Sequence, residues 1–333
     1  MTGTAGTWPG VGHHAGVPPR ADRLAQRAER VRLGLEELDL WLADQMRGGL
    51  AELQRAGYGP VDQMAARLVD AQAPGMAGML RALPSRLVGD GWPGRALEHL
   101  ALIRLLVAAH RRLDDLPADL AVTVRSRVGY PTSKESVLAR PAVRDRWAVL
   151  GYVDVADYQL ASRRVWLRGT ATGRWAVLLS FAAGGADLDA SVMPGVTIDA
   201  DLHLYPGAGQ HRALVGTEHS RTDEVPDVPG VRVGEAVAAF ARLLVQDPWA
   251  ERLPVVLRGA PVPPERDGEP WRWRDEAGDA VPLMARTDAW PLLARSMGDP
   301  IEVSGEWTRQ GFLPLGFLPH PLDPVFSVEV LSG

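Results

Sequence analysis

The chain has 333 residues, enough for two apolar cores, and its 46% hydrophobic and 23% charged content is that of a globular protein. It contains no cysteine, which excludes disulfides, thiolate metal ligands, iron–sulfur ligation and cysteine nucleophiles. The formal charge of −5 conceals a division: residues 1–174 hold 24 basic and 18 acidic side chains, whereas residues 175–333 hold 12 and 23. The acidic half is a poor candidate for contact with phosphate backbones.

Residues 1–21 read as a flexible leader. The opening "MTGTAGTWPGVGHHAGVPPR" lacks the apolar run of a signal peptide, and no later stretch approaches about eighteen uninterrupted apolar residues. A cytoplasmic location is the expectation. From Asp22 the pattern changes, and Leu24, Ala28, Val31, Leu35, Leu38 and Leu42 recur at alternating gaps of four and three. This spacing predicts one apolar helical stripe, continuing weakly through Met46 and Leu50 and weakened by Gly34, Gly48 and Gly49. The repeat lasts only about three heptads, so packing inside a helical bundle is favoured over a coiled coil.

Pro60 is placed to start a second helix bearing Met64, Leu68 and Ala71, and Pro74 to interrupt or restart it. The strongest helix is predicted from about Gly94 to Leu113, with apolar residues around most of its circumference, which argues for a central position. "PADLAVTVRSRV" and "SKESVLARPAVRDRWAVL" predict further helices, with Ser133 as N-cap and Ser136 three residues on, where a full capping box would carry Glu.

Near Trp147 the period shifts toward two. "YQLASRRVWLRG" and "RWAVLLSFA" flank "TATG" and predict a β-hairpin with Trp175, Val177, Leu179 and Phe181 on one face. "IDADLHLYP" and "RALVG" predict a second strand pair, and "HSRTDEVPDVPG" an exposed loop. "VGEAVAAFARLLVQDPW" returns to helical spacing through Val237, Phe240, Leu244 and Val245. Short strands are predicted around Val255, Trp271, Ile301 and Phe326, with a helix near Asp288 to Met297. The expected fold class is α+β, with a helical domain over 22–147 and a β-rich α+β domain over 148–333.

In "VTIDADLHLYPG", Ile198, Ala200, Leu202 and Leu204 form one strand face and Asp199, Asp201 and His203 stand on the other. Asp201 and His203 would lie about 6.6 Å apart along the strand, close enough to hold an ion between them. A complete metal site would need further ligands such as Asp187, Asp189, His211 or His219. A strand that covers a core on one side and meets water on the other explains all twelve residues at once, so the solvated-face reading is preferred.

On the strong helix, His99 and His110 fall within about 20° of the same azimuth but roughly 16 Å apart, too far to share one metal. "EHLALIRLLVAAH" also departs from HExxH, whose histidines sit one turn apart. Hydrogen-bonded structural histidines are expected, with Arg95 and Glu98 as polar companions, and Arg104 is expected to meet a carboxylate of a neighbouring helix.

"EPWRWRDE" places Trp271 and Trp273 on one strand face and Arg272 and Arg274 on the other. Aromatic residues beside Arg can stack on bases, but Glu269, Asp275 and Glu276 weaken that attraction and favour packing or a protein interface. Lys134 is the sole lysine among 36 basic residues, so a lysine-dependent phosphate loop would have to use it; "GYPTSKESV" offers no glycine-rich cradle. There is no G-x-S-x-G elbow, Walker A motif, GxGxxG fingerprint or EF-hand loop, and no spacing that assembles a Ser-His-Asp triad.

The stretch "GLEELDLWLADQMRGGLAELQRAGYGPVDQMAARLVDAQAPGMAGMLRAL" resembles the region after the finger in bacterial SWIM zinc-finger proteins, and the likeness extends through "WPGRALEHLALIRLLVAAHRRLDDLP", "VLARPAVRDRWAVLG" and "LHLYPGAGQHRALVG". The resemblance implies an accessory protein from gene neighbourhoods that encode MoxR-type AAA+ ATPases and von Willebrand A-domain proteins, and supplies no established enzymatic activity. A SWIM finger needs a CxC pair followed by a Cys-x-His pair; this chain offers only His13 and His14, so the finger is absent and no metal residue carries over.

The expected function is that of a non-enzymatic accessory or scaffold protein with a protein partner and no cofactor, with Trp41, Trp92, Trp271 and Trp273 as candidate interface residues. One alternative is a nucleic-acid-associated module that uses the basic helical half. Another is a hydrolase with an unrecognised grouping around Asp199, Asp201 and His203, which would require those side chains to converge in a concave pocket.

Overall fold

A computed structural model of the chain describes residues 20–156, 160–183, 186–285, 287–318 and 330–331. The leader expected at residues 1–21, save its last two positions, and the strand expected around Phe326 lie outside the described residues. The chain divides into two compact units, Met1–Val107 and Ala108–Gly333. The helical part comprises α1 (Arg20–Gly48), α2 (Leu50–Ala56), α3 (Tyr58–Asp70), α4 (Pro74–Arg81), α5 (Trp92–Arg111), α6 (Ala118–Val128) and α7 (Lys134–Leu138). The remainder comprises β1 (Val143–Ala156), β2 (Leu160–Gly169), β3 (Trp175–Ala183), β4 (Thr197–Leu204), β5 (Ala213–Thr222), α8 (Val233–Gln246), β6 (Arg252–Val262), β7 (Arg272–Arg274), β8 (Ala280–Pro282), α9 (Trp290–Ser296), β9 (Ile301–Thr308), β10 (Gly311–Phe317) and β11 (Val330–Leu331). The architecture is α+β, a helical bundle followed by a β-rich region, as the residue patterning predicts.

In the first unit, Val31, Leu35, Leu38 and Leu42 of α1 are enclosed at the predicted spacing, while Leu24 near the helix start is exposed. Gly34, which weakens the helix by propensity, has a packing reason: a Cβ there would fall 2.4 Å from the Cβ of Ala71, just past the end of α3. Pro74 occupies the first turn of α4, where its missing N–H costs nothing. On α5 the buried residues are Ala96, Leu100, Ile103, Leu106 and Val107, whereas Leu97 and Leu105 face solvent. Arg104 meets Asp39 of α1 at 3.5 Å, the interhelical carboxylate expected of it.

The second unit holds two sheets, ordered β3-β2-β1-β4-β5 and β10-β9-β6-β7-β8, with β11 pairing β1 in parallel. The helix expected across "SKESVLARPAVRDRWAVL" is confined to α7, and the rest of that segment becomes β1. Ser133 caps α7 by accepting the Ser136 N–H, as predicted. Pro141 follows its end and supplies no helical donor. Beyond it Trp147, Ala148, Val149 and Leu150 are all enclosed, because β1 is covered on both faces. Such a continuous apolar run lacks the alternation that distinguishes a strand from a buried helix.

The β2–β3 hairpin forms around the predicted turn, with Arg168 opposite Trp175. Asp145 of β1 fastens that turn by accepting hydrogen bonds from the backbone N–H groups of Arg146, Ala171 and Thr172 and from the Thr172 hydroxyl. Burial alone would raise its pKa; the four donors outweigh burial and lower it. β5 runs further than "RALVG", through residues 219–222 of the expected loop. That extension is exposed at every position, so it carries no hydrophobic alternation to announce it.

On α8 Val233, Ala236, Phe240 and Leu243 are buried and Leu244 packs half-buried against the same core, so of the predicted stripe Phe240 and Leu244 face inward, while Val237 and Val245 are exposed. β10, "GFLPLGF", is a wholly buried strand beyond those the residue pattern predicts, and its register breaks between Pro314 and Gly316, where a proline is tolerated in a sheet.

Candidate functional site

On β4, Ile198, Ala200 and Leu202 are enclosed in the core around Trp147, whose indole N–H donates to the Ala200 carbonyl at 3.1 Å. Asp199, Asp201 and His203 stand on the opposite face, each with its own partner. Asp199 receives the Arg144 guanidinium in two hydrogen bonds of 3.2 and 3.3 Å, which hold its carboxyl below the usual range. Asp201 Oδ2 lies 2.8 Å from His219 Nε2 on β5. His203 Nδ1 lies 2.8 Å from the Arg140 carbonyl, and its ring occupies the space over Gly216, where a Cβ would fall 2.6 Å from Nε2. The three residues share a face and do not converge on one point. Asp189 accepts the Ser191 N–H, and among the described residues no group of three or more His, Asp or Glu could hold a metal ion.

The helical histidines also have separate partners. His99 Nε2 lies 2.7 Å from the Met79 carbonyl, and His110 stacks on Tyr130 with Nε2 3.2 Å from the phenolic oxygen. Burial, and then the charge of Arg125, lowers the His110 pKa. Arg95 is not their companion; it donates to the Val88 and Asp90 carbonyls in the preceding loop.

The four candidate tryptophans differ in environment. Trp41 on α1 and Trp92 at the start of α5 are half-buried. Trp273 is fully enclosed and packs on Phe312, with ring centroids 6.1 Å apart. Gly259 makes room for it: a Cβ there would fall 2.7 Å from its Nε1 and 2.4 Å from the Arg274 carbonyl. Trp271 is half-buried and meets the exposed Trp290 edge-on, with centroids 5.2 Å apart. Trp290 opens α9 at 66% exposure, and Met297, two turns on at its C-cap, is 85% exposed.

Sequence reasoning did not find a charged cleft of about 300 Å³ in the second unit. Arg164, Trp166 and Arg252 line it, and behind them Glu306 of β9, 2% exposed, accepts two hydrogen bonds from Arg164 (3.0 and 3.1 Å) and one from the Trp166 indole (2.7 Å), with Arg252 within 3.4 Å. Burial raises the Glu306 pKa, but the charges of Arg164 and Arg252 and the hydrogen bonds from Arg164 and the Trp166 indole prevail and lower it. Nearby, Asp247 binds Arg127 at 2.7 Å. His211 also lines the cleft; its ring meets Trp166 edge-on, and its buried Nε2 has no hydrogen-bond partner among the described residues. Burial lowers its pKa, opposed by a hydrogen bond to the Trp175 backbone, so the imidazole is held toward its neutral form. The one sequence signal was a lone acid inside the apolar strand "VSGEWT"; its partner Arg164 lies 142 positions away.

Residues 26–128 match the family model of the SWIM-associated four-helix bundle domain, in agreement with the resemblance read from the helical half. The model covers less than half of the chain. No curated protein and no solved structure matches the chain. Among the described residues, no helix is long and apolar enough to cross a membrane.

Proposed function

We propose that this chain is a non-enzymatic accessory or scaffold protein of the cytoplasm that binds another protein through the surface around Trp290 and Trp271. The carrying observation is Trp290: a large aromatic ring, two-thirds exposed, braced edge-on by a second indole and followed along the same helix by an exposed methionine. Aromatic anchors supported by packed neighbours contribute disproportionately to protein interfaces, and a methionine adapts its shape to the partner. The match of residues 26–128 to a SWIM-associated bundle supports an accessory role, and the partner proposed is a component of a MoxR-type ATPase and von Willebrand A-domain system. Trp41 and Trp92 are proposed as secondary contacts.

Affinity purification of the tagged full chain from its native host, beside Trp290→Ala and Trp271→Ala, tests this reading. The wild-type chain should recover the same partner reproducibly, and Trp290→Ala should lose it while keeping the wild-type circular dichroism spectrum. Recovery of a lone chain, or a partner retained in full by both variants, overturns the proposal.

A further inference from the structure

A second groove of the β-rich unit, of about 490 Å³, has a different character from the cleft lined by Arg164 and His211. Its walls are apolar, formed by Val228 and Val231 of the segment before α8, Ala238 of α8, and Leu253 and Val255 of β6. The segment before α8 is clamped tightly to β6. Val231 exchanges backbone hydrogen bonds with Val256 and Arg258, and a Cβ on Gly230 would fall 2.6 Å from the Arg258 nitrogen. The wall is therefore preformed rather than assembled around a ligand.

Two guanidiniums line this groove, that of the half-buried Arg168 and that of the exposed Arg242. Arg168 of β2 lies over the Trp175 ring, its guanidinium carbon 5.2 Å from the ring centroid. Among the described residues it has no hydrogen-bond or ion-pair partner. Its strand neighbours show the ordinary arrangement: Arg163 binds Asp154 and Arg164 binds Glu306, each with two guanidinium nitrogens on the carboxylate. Arg242 of α8, also on the groove, likewise has no partner among the described residues. The one acid on the groove, Glu235, accepts the Arg232 backbone N–H at the start of α8 and has the Arg232 guanidinium 3.8 Å away. A half-buried cation without a counterion is costly, and burial alone pushes the Arg168 pKa below its ordinary value.

We propose that this groove binds a small amphiphilic carboxylate, its anionic head between Arg168 and Arg242 and its apolar chain along the valine- and leucine-lined wall. A planar guanidinium fits a carboxylate in a two-point hydrogen-bonded geometry, and the groove volume falls within the roughly 300–1,000 Å³ of small-ligand sites. The site shares no lining residue with the Trp290 surface, so it stands or falls separately from the proposed scaffold role.

Calorimetric titration of the full chain with octanoate tests the proposal, with octanol as the uncharged chain and acetate as the anion without one. Octanoate should saturate one site below about 5 mM, with octanol and acetate at least about tenfold weaker. Arg168→Gln and Arg242→Gln should each weaken octanoate by about tenfold or more, Arg168→Lys by less, and the distant Arg144→Gln not at all. Should Arg168→Gln not fold, Arg242→Gln and the octanol comparison decide the matter. No saturation, equal binding of octanoate and octanol, or wild-type affinity in both glutamine variants would overturn it.

Discussion

Replacing Glu306 by glutamine keeps its shape and removes the one charge that Arg164 and Arg252 share. Glu306 is 2% exposed at its side chain and Arg164 18%, so neither water nor a second acid can readily compensate Arg164; Arg252, at 36%, rehydrates more easily. Breaking a buried pair from one side costs about 3 kcal/mol or more, against about 1 kcal/mol or less for an exposed pair. Glu306→Gln should therefore lower urea stability by about 3 kcal/mol, and Asp44→Asn, which disrupts the exposed Arg47–Asp44 pair, by less than about 1 kcal/mol. Equal losses in the two variants would contradict this ranking. At this scale the sequence reveals which side chains of β4 face water, since alternation is local. It does not reveal that Glu306 is the residue Arg164 needs, since nothing within either strand marks the other.

Gly34 shows two effects of opposite sign within one element. A glycine-to-alanine change inside a helix gains up to about 1 kcal/mol in propensity, whereas overpacking a filled contact costs about 1–3 kcal/mol. With the new Cβ 2.4 Å from that of Ala71, the steric term dominates, because both atoms are held by backbone rather than by flexible side chains. Gly34→Ala should lower the melting temperature, and Gly34→Ala with Ala71→Gly should recover part of the loss. A melting temperature that rises in the single variant would show that α1 has room the packing does not suggest. The α1 stripe from Val31 to Leu42 was legible because burial follows its 3.6-residue period. On α8 the predicted stripe holds at Phe240 and Leu244 but not at Val237 and Val245, which face solvent, because the alanines and glycine of this helix carry too little apolar contrast to mark the buried face.

Across the whole molecule, the titrating groups define a two-stage response to acid. His211 and His110 are held below the ordinary histidine value of 6.5, chiefly by burial. Between their folded values and 6.5 the unfolded chain binds more protons, so their contribution is full above about pH 6.5 and is lost as pH falls through the folded values. Asp145 and Glu306 are depressed below 3.8 and 4.5, so their contribution persists to lower pH and fails as pH drops through their folded values. Urea midpoints measured from pH 7.5 to 3.5 should fall first below about 6.5 and again below about 4.5. His211→Phe with His110→Phe should flatten only the first decline; an unchanged first decline in that double variant would assign it to other groups.

The residue pattern by itself determined the α+β class, the bundle helices, the β2–β3 and β4–β5 pairings and the wet face of β4, because each is written in the spacing of neighbours along the chain. Tertiary structure alone decided that "WAVL" is a strand covered on both sides, that Gly34 serves Ala71, that Glu306 joins Arg164, and that Arg168 has no described counterion. Those outcomes depend on residues brought together from distant positions, where local periodicity carries no information about the partner.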